Sequence, residues 1–195
     1  MTADARQRVA LFGGSFDPIH RGHVFIAEKA VEACGLDRVI FVPCWKSPHK
    51  RGQEISDSED RVAMLRLATA DLEWAEVSEW EISRGEASYS WKTAEHFAQA
   101  LGEGVELFWI LGTDQWEVID SWARPERLAD LLTFVVFPRD GVATQKPGFR
   151  MLPVDASFDA SSTEIRRRVR AGERISEFVL PEVEAYLHDR GLYLD

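Results

Sequence analysis

Apolar residues in this chain occur as short unbroken runs separated by longer stretches in which they recur every three or four positions. Val9–Phe12, Val39–Val42 and Leu107–Leu111 are the runs, and continuous apolar runs of this length predict parallel strands buried on both faces, with Thr133–Phe137 read as a further strand. Helices are predicted between them at Gly22–Ala33, Ser58–Leu72 and Trp91–Leu101. Gly35 is placed to stop the first helix, and Ser56 and Glu59 stand at capping-box spacing ahead of the second. A charged, interrupted strand is expected over Ala75–Ile82 and a loop over Arg139–Gly148. Two helices follow, Ser162–Arg170 and Pro181–Arg190, the latter opened by Pro181 and closed by Gly191. Strand and helix alternate, so the expected fold is α/β: a Rossmann-like, doubly wound parallel sheet with C-terminal helices.

Length sharpens this picture. With 195 residues, 45% of them hydrophobic, the chain is expected to close one core as a single domain over 1–195, with residues 1–8 flexible. Residues 1–8 have no apolar run of the signal-peptide kind, and no later segment approaches the ~18 apolar residues of a membrane span. A cytoplasmic protein is expected. Cys34 and Cys44 lack paired metal-ligand spacing and read as reduced thiols.

Charge narrows the partners. The net charge of −10 repels nucleic acid and anionic membranes at long range, so neither is expected as a partner. Basic residues nevertheless cluster at Lys46, His49, Lys50 and Arg51 and at Arg166, Arg167, Arg168 and Arg170, which suits a local pocket for a small anion. Oligomeric state is left open, a homo-oligomer included.

The segment Gly13 to His23 follows the first strand and precedes the first helix. Open parallel sheets bind ligands at such carboxyl ends. Gly13 and Gly14 allow backbone N–H groups close to phosphate, the following helix offers its positive N-terminus, and Ser15, His20 and His23 add side-chain donors. Separated by three, the two histidines can share one side of the helix entry with Gly22 leaving space between them. GxGxxG and GxxxxGK[ST] loops are absent, which removes support for hydride transfer and P-loop hydrolysis. No third and fourth ligand at customary spacing supports a zinc site. Farther on, Ser161 and Glu164 have capping-box spacing, so Ser162 and Thr163 fall at a helix N-terminus with Arg166 one turn onward.

Gly14 to His23 matches the G[ST]FDP and HxGH signature in full, and the chain resembles the nucleotidylyltransferase superfamily. Ser161 to Arg166 resembles the SSTxIR motif of its nicotinate mononucleotide adenylyltransferase family. Pro48-His49-Lys50 resembles that family's PPHK loop with Ser47 for the first proline, and Ser88-Tyr89-Ser90 its PSYT with Ala87 and Ser90 as departures. Gly112-Thr113-Asp114 followed by Trp122 resembles its GxD and downstream tryptophan, although Ala123 stands where tyrosine is usual and Arg139-Asp140-Gly141 replaces an RPG turn.

The resemblance implies in-line transfer of AMP from ATP to nicotinate mononucleotide, with Mg²⁺ bound mainly through the ATP phosphates and no dedicated metal ligands on the protein. It implies a catalytic set of His20, His23, Lys50 and Arg166. Beyond these, Gly13, Gly14, Ser15, Phe16, Gly22, Gly112, Asp114, Ser162 and Thr163 are implied at ATP. Ser15, Lys50, Ser90, Asp114 and Trp122 are implied at the acceptor, Trp122 through a cation–π face for the pyridinium ring. Other acceptors, nicotinamide mononucleotide or phosphopantetheine, are the rivals within the superfamily. Outside it stands a nucleotide-binding module without catalysis, which an ATP-dependent pyrophosphate assay separates from an enzyme.

Overall fold

The computed structural model describes residues 6–46, 55–138, 141 and 143–194. Six parallel strands form one sheet in the order β3-β2-β1-β4-β5-β6. They are β1 (Gln7–Gly14), β2 (Arg38–Pro43), β3 (Ala75–Val77), β4 (Val105–Gly112), β5 (Thr133–Phe137) and β6 (Arg150–Pro153). This is the doubly wound order, whose direction reverses between β1 and β4, and the reversal opens a crevice at the carboxyl ends of those strands.

The period-2 alternation of strand side chains divides the core in two. Ala10 and Phe12 of β1 pack on one face against Ala27 and Ala30 of helix α1 (Arg21–Cys34), Met64 and Leu65 of α2 (Ser58–Thr69), Ile165 of α7 (Ser162–Arg170) and Val183 of α8 (Pro181–Asp189). Val9 and Leu11 pack on the other, with Phe97 of α4 (Ser90–Leu101), Trp116 of α5 (Thr113–Glu117) and Leu128 of α6 (Pro125–Leu131). Because both faces are covered, Val9–Phe12 of β1 and Phe134–Phe137 of β5 are apolar without interruption. Gly35 ends α1 in the left-handed conformation (φ 56°), as expected of a C-terminal glycine.

Several expectations are corrected. Residues 7 and 8 belong to β1, where Gln7 pairs with Val105 and Arg8 with Glu106, and the Arg8 guanidinium lies 4.8 Å from the Phe108 ring centre. The strand expected over 75–82 stops at Val77, and residues 80–84 turn into the short helix α3 (Trp80–Arg84). Ser78 still donates its N–H to Phe41 O at 2.9 Å, but β3 is the sheet's edge, and no further neighbour rewards extension beyond it. Asp57 rather than Ser56 precedes α2, because Ser56 is engaged elsewhere: its N–H donates to Asp17 and its carbonyl accepts from Arg61. α5, α6 and β6 went unpredicted.

Candidate active site

The Gly13 to His23 segment crosses the crevice between β1 and β4, and its shape is set by crowding. A Cβ on Gly13 would lie 2.9 Å from the Trp109 ring, and one on Gly14 3.1 Å from the Phe16 ring. Phe16 takes a positive φ of 49°, held by burial of its ring against Phe12 and Phe41. A Cβ on Gly22 would meet His20 Nδ1 at 3.0 Å. Gly22 therefore provides the space the histidine spacing calls for.

His20 caps α1 and is buried, and its ring stacks on that of His23 with centres 3.7 Å apart and planes inclined by 24°. The His20 N–H donates to His23 Nδ1 at 3.2 Å. An acceptor Nδ1 requires that the neutral His23 ring carry its proton on Nε2, so the hydrogen-bond network assigns His23 as a donor through that nitrogen.

Four side chains from distant parts of the chain fasten this segment. Arg61, 1% exposed, donates to Ser15 O at 2.7 Å, Cys44 O at 2.9 Å and Ser56 O at 3.1 Å. One buried guanidinium fork thus satisfies three carbonyls of three loops. Arg166 of α7 donates to Asp17 O at 2.6 Å, and the Ser162 hydroxyl donates to Pro18 O at 3.0 Å. Tyr193 donates its hydroxyl to Asp17 Oδ1 at 2.6 Å. Burial, reinforced by the Asp17 carboxylate, pushes the Tyr193 phenol well above its ordinary value, so it remains a donor.

A polar cavity of about 190 Å³ opens above the segment. Gly13, Gly14, Ser15, Phe16, His20 and His23 line one side. Gly112 and Asp114, at the end of β4 and the start of α5, and Ser162, Thr163 and Arg166, in the first turns of α7, line the others. Glycine-loop amides, two helix N-termini, two stacked imidazoles and a guanidinium converge there, and together they can neutralise several phosphate oxygens.

Not every expected residue is brought to this cavity. Gly22 shapes His20 without lining the cavity, and Ser90 and Trp122 also lie outside its lining. Ser90 is the first residue of α4, and the half-buried Trp122 packs edge-on to Trp109 at 6.5 Å. Lys50, with Ser47, Pro48, His49 and Arg51, lies outside the described residues, as do Arg139 and Asp140. The capping box at Ser161 is half formed: its hydroxyl accepts from Glu164 N–H at 3.2 Å, while the Glu164 carboxylate turns to Arg167 and Arg168. Sequence reasoning missed Arg61, Asp17 and Tyr193. An arginine among the apolar positions of α2, where a buried charge is costly unless fully bonded, was the one available signal.

Residues 11–168 match the family described as cytidylyltransferase-like. The chain is 34% identical over 200 residues to a probable nicotinate-nucleotide adenylyltransferase of Clostridium botulinum (strain Eklund 17B / Type B), with 96% of this chain and 98% of that protein covered. It is 36% identical over 190 residues to one of Shouchella clausii (strain KSM-K16), covering 97% and 98%. In fold it resembles Plasmodium falciparum nicotinic acid mononucleotide adenylyltransferase complexed with NaAD, at a TM-score of 0.80 and 18% identity over 96% of this chain and 97% of that one.

Proposed function

The chain belongs to the nicotinate-nucleotide adenylyltransferase family, and on that premise we propose that it transfers AMP from ATP to nicotinate mononucleotide, giving deamido-NAD and pyrophosphate. The observation that carries the proposal is the convergence of the His20/His23 pair, the glycine loop and the α7 N-terminus on one polar cavity.

In this reading a phosphate oxygen of nicotinate mononucleotide attacks the α-phosphorus of ATP in line. The new P–O bond forms as the bond to the bridging oxygen of the β-phosphate breaks, and pyrophosphate leaves with that electron pair. The attacking oxygen is already anionic at neutral pH, so no general base is required. The protein's work is to align the two phosphates and to meet negative charge where it grows. His20, His23 through Nε2, Arg166 and Lys50 supply donors to the transferring and leaving groups. Gly13, Gly14, Ser162 and Thr163 seat the phosphates. Gly112 and Asp114 face the nucleoside side, with the Asp114 carboxylate accepting from ribose hydroxyls.

Mg²⁺, bound mainly through the ATP phosphates, would neutralise charge on the leaving pyrophosphate. Among the described residues no three His, Cys, Asp or Glu side chains come together as cation ligands. In this reading the shell of the ion would be completed by phosphate oxygens and water.

At the acceptor's pyridine end the assigned residues are Trp122 and Ser90. Ser90 opens a twelve-residue helix, so its hydroxyl and the first-turn N–H groups favour a carboxylate over a neutral amide. Nicotinate mononucleotide should therefore be preferred to nicotinamide mononucleotide. Incubation with ATP, Mg²⁺ and each of nicotinate mononucleotide, nicotinamide mononucleotide and phosphopantetheine, followed by pyrophosphate release and product chromatography, tests the reading. Deamido-NAD should dominate; a folded sample that makes no dinucleotide from any pyridine mononucleotide would refute it.

Among the described residues no helix is long and apolar enough to cross a membrane.

A further inference from the structure

Asp17 is a buried acid in the lining of the phosphate cavity, and its bonding is one-sided. It is 1% exposed. Oδ1 accepts from the Tyr193 hydroxyl at 2.6 Å and from the Ser56 N–H at 3.3 Å, whereas the buried Oδ2 meets no hydrogen-bond donor among the described residues. Arg166 Nη1 stands 3.9 Å from Oδ2, beyond hydrogen-bonding distance. That nitrogen donates instead to the Asp17 carbonyl at 2.6 Å, and Nη2 lies a long 3.5 Å from Thr163 Oγ1. Asp17, Thr163 and Arg166 all line the cavity. The guanidinium is thus tethered at one nitrogen by a main-chain oxygen and keeps its other donors for a ligand.

A carboxylate in this position works against a phosphate site. It repels phosphate oxygens and competes with them for Arg166, since a guanidinium pairs with a carboxylate through two parallel bonds. In this structure that pairing is held off, and the short bond from Tyr193 fixes the carboxylate through Oδ1. The backbone at Tyr193 is shaped for this contact. Gly191 ends α8 in the left-handed conformation (φ 60°), its N–H donating to His188 O at 3.1 Å and the Leu192 N–H to Leu187 O at 3.0 Å. Two residues on, Tyr193 is left-handed as well (φ 64°), a conformation unfavourable to a residue with a Cβ. Its ring is half-buried against the core of this face and brings the hydroxyl to Asp17. α8 gives the turn a fixed base, because the buried Asp60 accepts from the Tyr186 hydroxyl at 2.8 Å and from Arg190 Nε at 3.0 Å.

We propose that Tyr193 is a positioning residue for ATP: by holding the Asp17 carboxylate it keeps that carboxylate off Arg166 and leaves the guanidinium to the triphosphate. This rests on the role given to Arg166 above. In Tyr193→Phe the ring and its packing remain, while Oδ1 keeps only the long bond from Ser56. A buried carboxylate so poorly bonded turns to the cation 3.9 Å away, and closing to about 2.8 Å pairs it with Arg166.

The test is calorimetric titration with ATP and Mg²⁺ in the absence of acceptor, together with initial rates in which ATP and nicotinate mononucleotide are varied separately. The proteins are the parent, Y193F, D17N, R166A, Y193F/D17N and Y193F/R166A. Y193F should bind ATP about tenfold more weakly, the scale of one charge-assisted hydrogen bond, and raise KM for ATP in proportion. KM for nicotinate mononucleotide should stay within about twofold of the parent. Once Arg166 is gone, the tyrosine change should cost less than about twofold more, and likewise in the D17N background, where no charge is left to capture the arginine. General loosening of the fold would penalise every background alike. In D17N the amide oxygen still accepts from Tyr193 and Ser56 but carries no charge to compete with phosphate, so ATP should bind at least as tightly as to the parent. That variant keeps the inference testable if Y193F does not fold, and weaker ATP binding by D17N would count against it. Unchanged ATP affinity in folded Y193F, or an equal loss on the R166A background, would overturn the proposal. A parent that binds ATP but makes no dinucleotide would instead refute the proposed function, which separates the two failures.

Discussion

Arg61→Lys is the sharpest single perturbation of the phosphate loop. The arginine fork reaches Ser15 O, Cys44 O and Ser56 O from a site 1% exposed, whereas a lysine ammonium is a single point and cannot meet three carbonyls approached from different directions. Two bonds should be lost while the charge is kept. At about 1.5 kcal/mol for each bond to a charged group, the cost is about 3 kcal/mol, tolerable against a typical total of about 5–15 kcal/mol. For a chain of this size the melting temperature should fall by about 6–12 °C, so the variant remains folded at 25 °C and its kinetics are interpretable. Because Ser15 O is one of the released carbonyls, the loop bearing Gly13, Gly14 and Ser15 should shift. A misplacement on the order of 1 Å costs up to about 10²-fold in turnover, and kcat should fall by about 10- to 100-fold. Scanning calorimetry and pyrophosphate release measured on one preparation provide both numbers. A melting point within about 2 °C of the parent would refute the clamp's energetic importance. A lowered melting point with kcat within about twofold would show that Arg61 holds the fold without setting the phosphate loop.

His20→Ala and His23→Ala should each lower kcat by about 10²-fold, the scale of one donor aimed at transition-state charge, with circular dichroism unchanged; near-parent turnover removes that residue from the catalytic set. Trp122→Ala should weaken nicotinate and nicotinamide mononucleotide alike with ATP affinity retained, and Ser90→Ala should narrow the preference for the acid. A Trp122→Ala enzyme that merely melts lower would mark Trp122 as a packing residue against Trp109. On the surface, hydrogen bonds first from Arg167 and then from Arg168 hold the Glu164 carboxyl down at about 2 from an ordinary 4.5. A lowered folded-state value stabilises above the unfolded one, so the contribution of this cluster to α7 is complete above about pH 4.5 and lost as pH falls towards 2. Thermal unfolding of the parent and Glu164→Gln between pH 2 and pH 6 should converge at the acid end; parallel curves throughout would refute it.

The sheet was readable because its strands carry their own signal. Val39–Val42 and Phe134–Phe137 are apolar without interruption because helices cover both faces, and Gly35 marks the end of α1 through its left-handed conformation. β6 was not readable, since Arg150–Pro153 is a mostly exposed edge strand of mixed polarity, and α3 and α5 are five residues each, too short for helical periodicity to register. The cavity was legible where chemistry is local in sequence, as at His20, Gly22 and His23. Its supports were not: Tyr193 reaches the Asp17 carboxylate across 176 positions and Arg166 reaches the Asp17 carbonyl across 149, and no motif records a bond between residues so far apart in sequence.

Those supports also show which departures in the motifs the phosphate site can absorb. Arg61 binds Ser15, Cys44 and Ser56 through main-chain oxygens, and Cys44 holds Gly14 O through its own N–H at 2.9 Å. Any residue with an N–H serves at position 44, so the side chain there is released from the site's requirements, whereas the arginine is not, because no other side chain offers its planar fork of donors. The proposed acceptor end is built the opposite way. Ser88 meets the Trp45 N–H through its hydroxyl, and Ser90 and Trp122 are assigned by what their side chains can bind. A phosphate cradle held by backbone can tolerate sequence change around it, while an acceptor pocket held by side chains changes its choice of ligand with each substitution. The departures at Ala87 and Ala123 fall in the second region, and acceptor preference is therefore the property in which this chain has most room to differ from its relatives.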